Sequence, residues 1–367
     1  MNIAYRFRIY PTEEQKILLG KTFGCCRFLY NQMLNDKIQE YEKTKKMLKN
    51  TPAMYKREYP FLKEVDSLAL ANVQLHLEKA YKNFFRDPKI GFPKFKSKHH
   101  SRNSYTTNVV NGNILVESKR IRLPKLKWIA MKKHREPAEG LRLKSVTVSM
   151  EPSGKYFASL LYEGDSCENQ AAEPDYSTAK ILGIDYAMQG MAVFSEEIEM
   201  EEAGFFRKNE KRLVREQRKL SRCVRGSHNY ELQKKKVARC HEKIRNQRRD
   251  YLHKLSRKIV DSYDAVAVED IDMKAMGQCL HFGKSVQDNG YGMFREMLDY
   301  KLAWKGKKIV KVDRFFPSSK KCCQCGRIKK ELKLSERVYH CVCGNEMDRD
   351  RNAAINIREE ARRMLTA

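Results

Sequence analysis

The chain opens on an alternation. Residues 3–10, IAYRFRIY, place apolar side chains at nearly every second position with basic ones between, the period of a strand with one buried face. Pro11-Thr12-Glu13-Glu14-Gln15 then reads as a helix start, with Thr12 as N-cap and Gln15 as its capping-box partner. Helical spacing of apolar residues continues through residues 13–88, as in FGCCRFLYNQML (23–34) and LALANVQLHLEKAYKNFF (68–85). From Asp87 to about Tyr162 the period changes again. The stretches VVNGNILVES, IRLPKL and SVTVSMEPSGKYFASLLY are broken by turn signals such as Asn111-Gly112 and Pro152-Ser153-Gly154, which predicts a β-rich module. Residues 166–178, within an acidic and apolar-poor run that begins at Glu163, read as a linker.

A different pattern follows. AKILGID (179–185) is an apolar run that ends on Asp185, and GMAVFS (190–195) comes after a short turn. YDAVAVED (263–270) is a second such run and carries Glu269 near its end. Between them, residues 207–258 read as two long basic helices with Arg225-Gly226-Ser227 at the turn. Val237, Cys240, Ile244, Tyr251, Leu255 and Ile259 recur at helical steps, so the second helix should pack on one face. DRNAAINIREEARRML, opened by Asp350, is helical again. No long internal repeat is evident. No apolar run approaches the ~18 residues of a membrane span, and Met1–Tyr10 lacks the apolar core of a leader peptide.

Composition sharpens this picture. The 367 residues are enough for two or three domains. Lys+Arg is 74 against Asp+Glu 46, a net +28, which would repel itself unless a polyanion such as nucleic acid neutralised it. Phe205 to Lys258 alone holds 20 Lys/Arg and 5 Asp/Glu, over half of the excess. Simple solvation of that face is the bland reading, but at this density phosphate tracking is preferred. The eleven cysteines are odd in number and clustered, which favours a reduced cytosolic home and metal binding over disulfides.

A carboxylate at a strand end is more often a cap or turn residue than a catalyst. Asp185, Glu269 and Asp350 together, however, suit two-metal phosphodiester hydrolysis, because Mg2+ takes hard oxygen ligands converging from separate elements. Arg349 and Arg351 beside Asp350 would keep the local field attractive to DNA. Cys322-x-x-Cys325-Gly and Cys341-x-Cys343-Gly approach zinc-ribbon spacing, with four thiolates for a tetrahedral structural site. The second pair is one residue short, so Cys323 and His340 stand as substitutes for one ligand. Cys25, Cys26, Cys223, Cys240, Cys279 and Cys167 read as ordinary packing or surface residues.

The ordered set LGID (182–185), VAVEDIDMKAM (266–276), FFPSSKKCCQCG (315–326) and CGNEMDRDRNAAINI (343–357) resembles the TnpB (OrfB) proteins of insertion-sequence transposons, relatives of the compact type V CRISPR effectors. The likeness extends through YRFRIYPTEEQ, FGCCRFLYNQML, GFPKFKSKHHSRNSYTT and HEKIRNQRRDYLHKLS, and so covers nearly the whole chain. It implies an α+β multidomain protein: a RuvC-like nuclease domain of RNase H fold with an inserted zinc ribbon, a helical recognition lobe and a wedge β-barrel. The expected division is 1–10 for the first wedge strand, 11–88 for the recognition lobe, 89–165 for the wedge barrel, 166–178 for the linker, 179–317 for the RuvC-like domain, 318–346 for the ribbon and 347–367 for the RuvC-like C-terminal part. The resemblance also implies a guide RNA from the transposon end, cleavage of double-stranded DNA beside a short flanking motif, and a monomer or dimer in the bacterial or archaeal cytosol, near the nucleoid and away from membranes.

Carried over residue by residue, Asp185, Glu269 and Asp350 match the Mg2+ carboxylates, and Cys322, Cys325, Cys341 and Cys343 match the Zn2+ ligands. Asp348 matches less well as a metal ligand. Ala187 stands where the family usually has a glycine, which would alter that turn. The motif reader is expected in the N-terminal lobe and β-module, including Lys94, Lys96 and Tyr105. Rival readings are an actin-like ATPase, which needs a second phosphate loop that Asp288-Asn289-Gly290 supplies poorly, a zinc-ribbon DNA-binding repressor without cleavage, which leaves the three acids unexplained, and a strand-transferring transposase.

Overall fold

A computed structural model describes residues 2–98, 100–164, 174–187, 191–199, 204–271, 290–333 and 336–367. It divides into two compact units, Met1–Ser166 and Cys167–Ala367.

In the first unit, strand β1 (Asn2–Tyr10) leads into helix α1 (Glu13–Thr44). The predicted capping box is present: Thr12 Oγ1 accepts from the Gln15 N–H at 3.3 Å, and Gln15 Oε1 accepts from the Thr12 N–H at 3.0 Å. The same Gln15 amide donates to the carbonyls of Leu126 and Trp128, both at 2.9 Å, so the cap also ties the helix to the sheet. Helices α2 (Pro52–Glu58) and α3 (Ser67–Arg86) follow. Six more strands complete the sheet: β2 (Asn103–Asn108), β3 (Leu115–Val116), β4 (Arg120–Leu123), β5 (Lys127–Lys132), β6 (Arg142–Met150) and β7 (Tyr156–Glu163). The order is β2-β6-β7-β1-β5-β4-β3 and every pairing is antiparallel, so the first strand of the chain lies in the middle of the sheet. Phe7 and Ile9 of β1, Leu19 and Leu29 of α1, Leu70 and Leu77 of α3, and Val146 and Leu160 of the sheet belong to one continuous core.

Of the three expected motif readers, Tyr105 needs correction. Tyr105 is a core residue at 5% exposure, its hydroxyl pKa pushed up by burial, because alternation along β2 turns its ring inward. Lys96 is half-buried: its ammonium sits 3.8 Å from the Tyr30 ring centroid, and Asn31 hydrogen-bonds both its N–H and its carbonyl. Desolvation lowers its pKa. Lys94 is exposed.

The second unit holds β8 (Ile181–Ala187), β9 (Met191–Phe194), α4 (Phe205–Ser221), α5 (His228–Ser262), β10 (Ala265–Glu269), α6 (Tyr291–Trp304), β11 (Lys308–Val312), β12 (Val338–His340), β13 (Glu346–Asp348) and α7 (Arg349–Thr366). The main sheet runs β11-β10-β8-β9, with β8, β10 and β11 parallel and β9 antiparallel to β8. Parallel strands covered on both faces read as continuous apolar runs, as β8 and β10 do. Their period of two still sorts side chains. Leu182, Ile184, Tyr186, Val266 and Val268 pack in one cluster with Leu252, Leu255 and Ile259 of α5 and Phe294 and Leu298 of α6. Ile181, Ala265, Ala267, Val310 and Val312 pack on the other face with Ile357 and Ala361 of α7.

The α4–α5 hairpin turns where expected, and Ser227 caps α5 by accepting from the Tyr230 N–H at 3.1 Å. A small seam of Leu213, Cys240 and Ile244 joins its helices. All of its lysines and arginines from Arg207 to Lys258 except Arg248 are exposed, whereas Glu216 and Glu242 are buried. Most of the linker run, Cys167, Cys279, residues 272–276 of VAVEDIDMKAM, and Asp288 and Asn289 lie outside the described residues. Ala187 continues β8 and pairs with Met191. No described helix is long and apolar enough to cross a membrane.

Candidate active site and thiolate centre

The parity of the strands decides where the acids point. Asp185 follows Ile181 and Gly183 by steps of two, and Glu269 follows Ala265 and Ala267 in the same way. Both carboxylates therefore belong to the face covered by α7. The register pairs Ala265 with Ile181 and Ala267 with Gly183, so it runs on toward Glu269, the last residue of β10, and Asp185, two residues before the end of β8. Gly183 lets the helix come close: a Cβ there would lie 2.0 Å from the Ala354 carbonyl oxygen and 2.9 Å from the Arg358 nitrogen. Ala353 and Ala354 are correspondingly buried. This small-residue contact sets α7 against β8 and brings Asp350, in the first turn of α7, toward the strand ends.

The electrostatics register the convergence. Desolvation pushes Asp185 up, the carboxylates of Glu269 and Asp350 add to it, and the result is about 8. Desolvation also raises Glu269. Asp350 faces two guanidinium groups, Arg349 at 3.3 Å and Arg337 at 3.8 Å. Asp348 plays a different part as the N-cap of α7, where it accepts from the Arg351 N–H at 2.8 Å.

One group at the site went unnoticed in the sequence. Tyr291 opens α6, is 1% exposed, and its hydroxyl has no hydrogen-bond partner among the described residues. Its ring lies 4.9 Å from that of Tyr186. Burial, followed by the charges of Asp185 and then Glu269, raises its pKa, which places the phenol within electrostatic reach of the acids. An aromatic at a helix start reads as core, so no local signal would have singled it out.

The four cysteines also meet. The sulfur atoms of Cys322, Cys325, Cys341 and Cys343 all lie within 4.8 Å of one another. Cys322 and Cys343 are 3.7 Å apart, and Cys325 and Cys341 3.6 Å. The edge of a Zn–S tetrahedron is about 3.8 Å for bonds of ~2.3 Å, so the donor set fits zinc. Each pair closes on a glycine turn, the second one residue tighter: Gly326 N–H donates to the Cys322 carbonyl four residues back and Gly344 N–H to the Cys341 carbonyl three back, both at 3.0 Å. Both glycines have left-handed φ, 74° and 90°. Burial would raise the Cys322 thiol, but the N–H groups of Cys325 and Gln324 and the Asn345 amide outweigh it and bring it down to about 6. The two substitute ligands point elsewhere. Cys323 Sγ lies 3.5 Å from Met347 Sδ, and His340 Nδ1 lies 3.6 Å from the Glu346 carboxylate.

Comparisons with known proteins agree with this architecture. The OrfB_IS605 family, described as "Probable transposase", matches residues 160–279, and the "Cas12f1-like, TNB domain" matches residues 291–357. A family described as "Helix-turn-helix domain" matches residues 1–46, although the described residues there form one strand and one continuous helix. A Streptomyces pristinaespiralis protein named "Putative RNA-guided DNA endonuclease" is 34% identical over 366 residues, covering 96% of this chain and 88% of that protein. Escherichia coli K12 "Putative RNA-guided DNA endonuclease InsQ" is 31% identical over 382 residues, covering 96% and 91%. A cryo-EM structure of a Cas12f1–sgRNA–target DNA complex superposes with a TM-score of 0.61 at 14% identity, covering 98% of each chain, which is a likeness of fold. The molecule is thus an α+β multidomain protein with a fold like that of Cas12f1. It belongs to the OrfB (TnpB) family.

Proposed function

We propose that the chain is an RNA-guided endonuclease of an insertion-sequence transposon, cutting double-stranded DNA next to a short flanking motif. The observation that carries the reading is that buried Asp185 of β8 lies within electrostatic reach of Glu269 of β10 and Asp350 of α7, whose charges add to the desolvation that raises its pKa. Relatives named as RNA-guided DNA endonucleases support it. On this reading the second unit is a RuvC-like domain of RNase H fold, residues 318–346 are a zinc ribbon, and the first unit combines a recognition lobe with a wedge barrel.

Asp185, Glu269 and Asp350 would hold two Mg2+ ions, which when bound would supply activation of the attacking water and stabilisation of the leaving oxygen. Arg349 and Arg337 offset the anionic cluster, so a phosphodiester can approach it. Cys322, Cys325, Cys341 and Cys343 would hold Zn2+ as a structural ion. The exposed basic faces of α4 and α5 track phosphates, which makes association fall steeply with salt. Base pairing with a guide supplies the sequence specificity.

The test is to purify the protein with RNA transcribed from its own element's end and then to change the guide segment. Cleavage should move to the DNA that matches the new guide. Cutting that stays at the old site, or proceeds equally without RNA, would leave a plain nuclease. Guide-directed binding without any cutting would leave a repressor.

A further inference from the structure

We propose that Asn352 and Asn356 are positioning residues that make the placement of Asp350 depend on the first cysteine knuckle, so that the thiolate centre governs the carboxylate site through α7. The inference rests on the reading of Asp350 and of the four cysteines given above.

Both asparagines are buried, at 0% and 3% exposure, on a helix whose other buried residues are small or apolar. They stand four residues apart and so share one stripe of α7. Asn352 Nδ2 donates to the Lys321 carbonyl at 2.7 Å, and its Oδ1 accepts from the Cys323 N–H at 3.0 Å. Asn356 Nδ2 donates to the Ser318 carbonyl at 2.8 Å and to the Lys321 carbonyl at 2.6 Å. Their partners lie within residues 318–323 and bracket Cys322. A loop carbonyl in a buried position needs a donor, and an asparagine has the geometry to supply one while accepting in return. A lysine side chain, which only donates, could not do both.

The consequence is mechanical. Asp350 lies two residues before Asn352, in the same helical turn. Gly183 and Ala354 hold α7 against β8 on one side, and the asparagine pair holds it to the knuckle on the other. The knuckle keeps its shape through Cys322, whose sulfur the Asn345 amide also reaches at 3.4 Å. A metal-bound tetrathiolate stiffens residues 318–323 and thereby the start of α7. When the metal leaves, that loop has little apolar support and the clamp loosens. Displacement of a carboxylate by even ~1 Å costs about 10²-fold in rate.

The experiment uses the full chain loaded with guide RNA. Asn352→Ala, Asn356→Ala and the pair are compared with wild type for zinc per chain, thermal midpoint, Mn2+ affinity by electron paramagnetic resonance, and cleavage as a function of Mg2+. Asn356→Ser, which keeps a small donor, serves if an alanine variant folds poorly. The expected result is full zinc content, Mn2+ affinity down ~10-fold, by analogy with outer-shell partners of metal ligands, and cleavage at low Mg2+ down ~10²-fold with partial recovery at high Mg2+. Removing zinc from wild type should weaken Mn2+ binding to the same extent, and removing it from the double variant should weaken it no further. The proposal is overturned if the variants bind Mn2+ as tightly as wild type, if they lose zinc outright, or if zinc removal weakens Mn2+ binding equally in all of them. Absence of cleavage in wild type would count against the nuclease reading instead, since Mn2+ affinity reports the coupling without turnover.

Discussion

The two units bury their apolar surface in different ways. In the first, helices α1 and α3 and the seven-stranded sheet share one continuous core. In the second, the sheet separates two clusters, and the three carboxylates come from β8, from the end of β10 and from the first turn of α7. A continuous core leaves little room for unpaired charge. A sheet covered independently on its two faces leaves its edge and its strand ends to polar groups, and Glu269 stands at such an end. The first unit is therefore expected to report stability, and the second to trade stability for chemistry.

Asp350→Ala should break the second unit's function most completely. Guided cleavage should fall by at least ~10³-fold, by analogy with the loss of comparable catalytic groups, while RNA binding stays near wild type. Unchanged Mg2+-dependent cleavage would remove Asp350 from the site. Asp348→Ala is the paired control: it removes the α7 cap, costs ~1 kcal/mol of stability and should leave a measurable cleavage rate.

Cys325→Ser should lower zinc content and loosen residues 318–346, which metal analysis and proteolysis would detect, with cleavage lost as a consequence. A purified wild type without zinc would refute the structural-metal assignment. Gly183→Ala tests the helix contact. The new Cβ meets backbone at 2.0 Å, so α7 must shift. A stability loss of ~1–3 kcal/mol and a rate loss of up to ~10²-fold are expected in denaturation and kinetic assays. A fully active Gly183→Ala enzyme would mean that the acids do not depend on this packing.

Leu77→Ala probes the first unit. Truncating a fully buried leucine costs ~2–5 kcal/mol, visible as a lower denaturation midpoint, with zinc content and cleavage per folded, guide-loaded molecule unchanged. A matching fall in zinc content would show that the two units share their stability.

A further effect concerns pH. Metal-free Asp185 stands near 8 against an ordinary 3.8. Between those values the folded chain keeps a proton that the unfolded chain has released, so stability falls as pH rises through the window and the penalty is complete above the folded value. Asp185→Asn should therefore be more stable than wild type at pH ~8 without metal, with the gap closing toward pH ~4, although it cannot cleave. Thermal midpoints that show no pH-dependent gap would contradict the burial and crowding of this group.

Local pattern made much of this legible. The alternation in IAYRFRIY, the Thr12–Gln15 capping box, the turn before Ser227 and the apolar runs that carry Asp185 and Glu269 all depend on neighbours within a few residues, and each has its structural counterpart, although β8 continues two residues past Asp185. The cysteine spacing announced a four-thiol cluster for the same reason, since a knuckle is a local turn. What covers a face is a different matter. Period two showed that Gly183 and Asp185 share a side, but only the packed structure set α7 on it, through a contact too close for a Cβ. Tyr105 looked available among its basic neighbours until the first unit's core enclosed it. Asn352 and Asn356 looked like ordinary polar positions of a helix until residues 318–323 folded against them. Backbone periodicity is set by steric and hydrogen-bonding rules that act over a turn or a pleat. Desolvation, charge crowding and side-chain pairing arise between segments far apart in the chain, so only the tertiary structure could decide them.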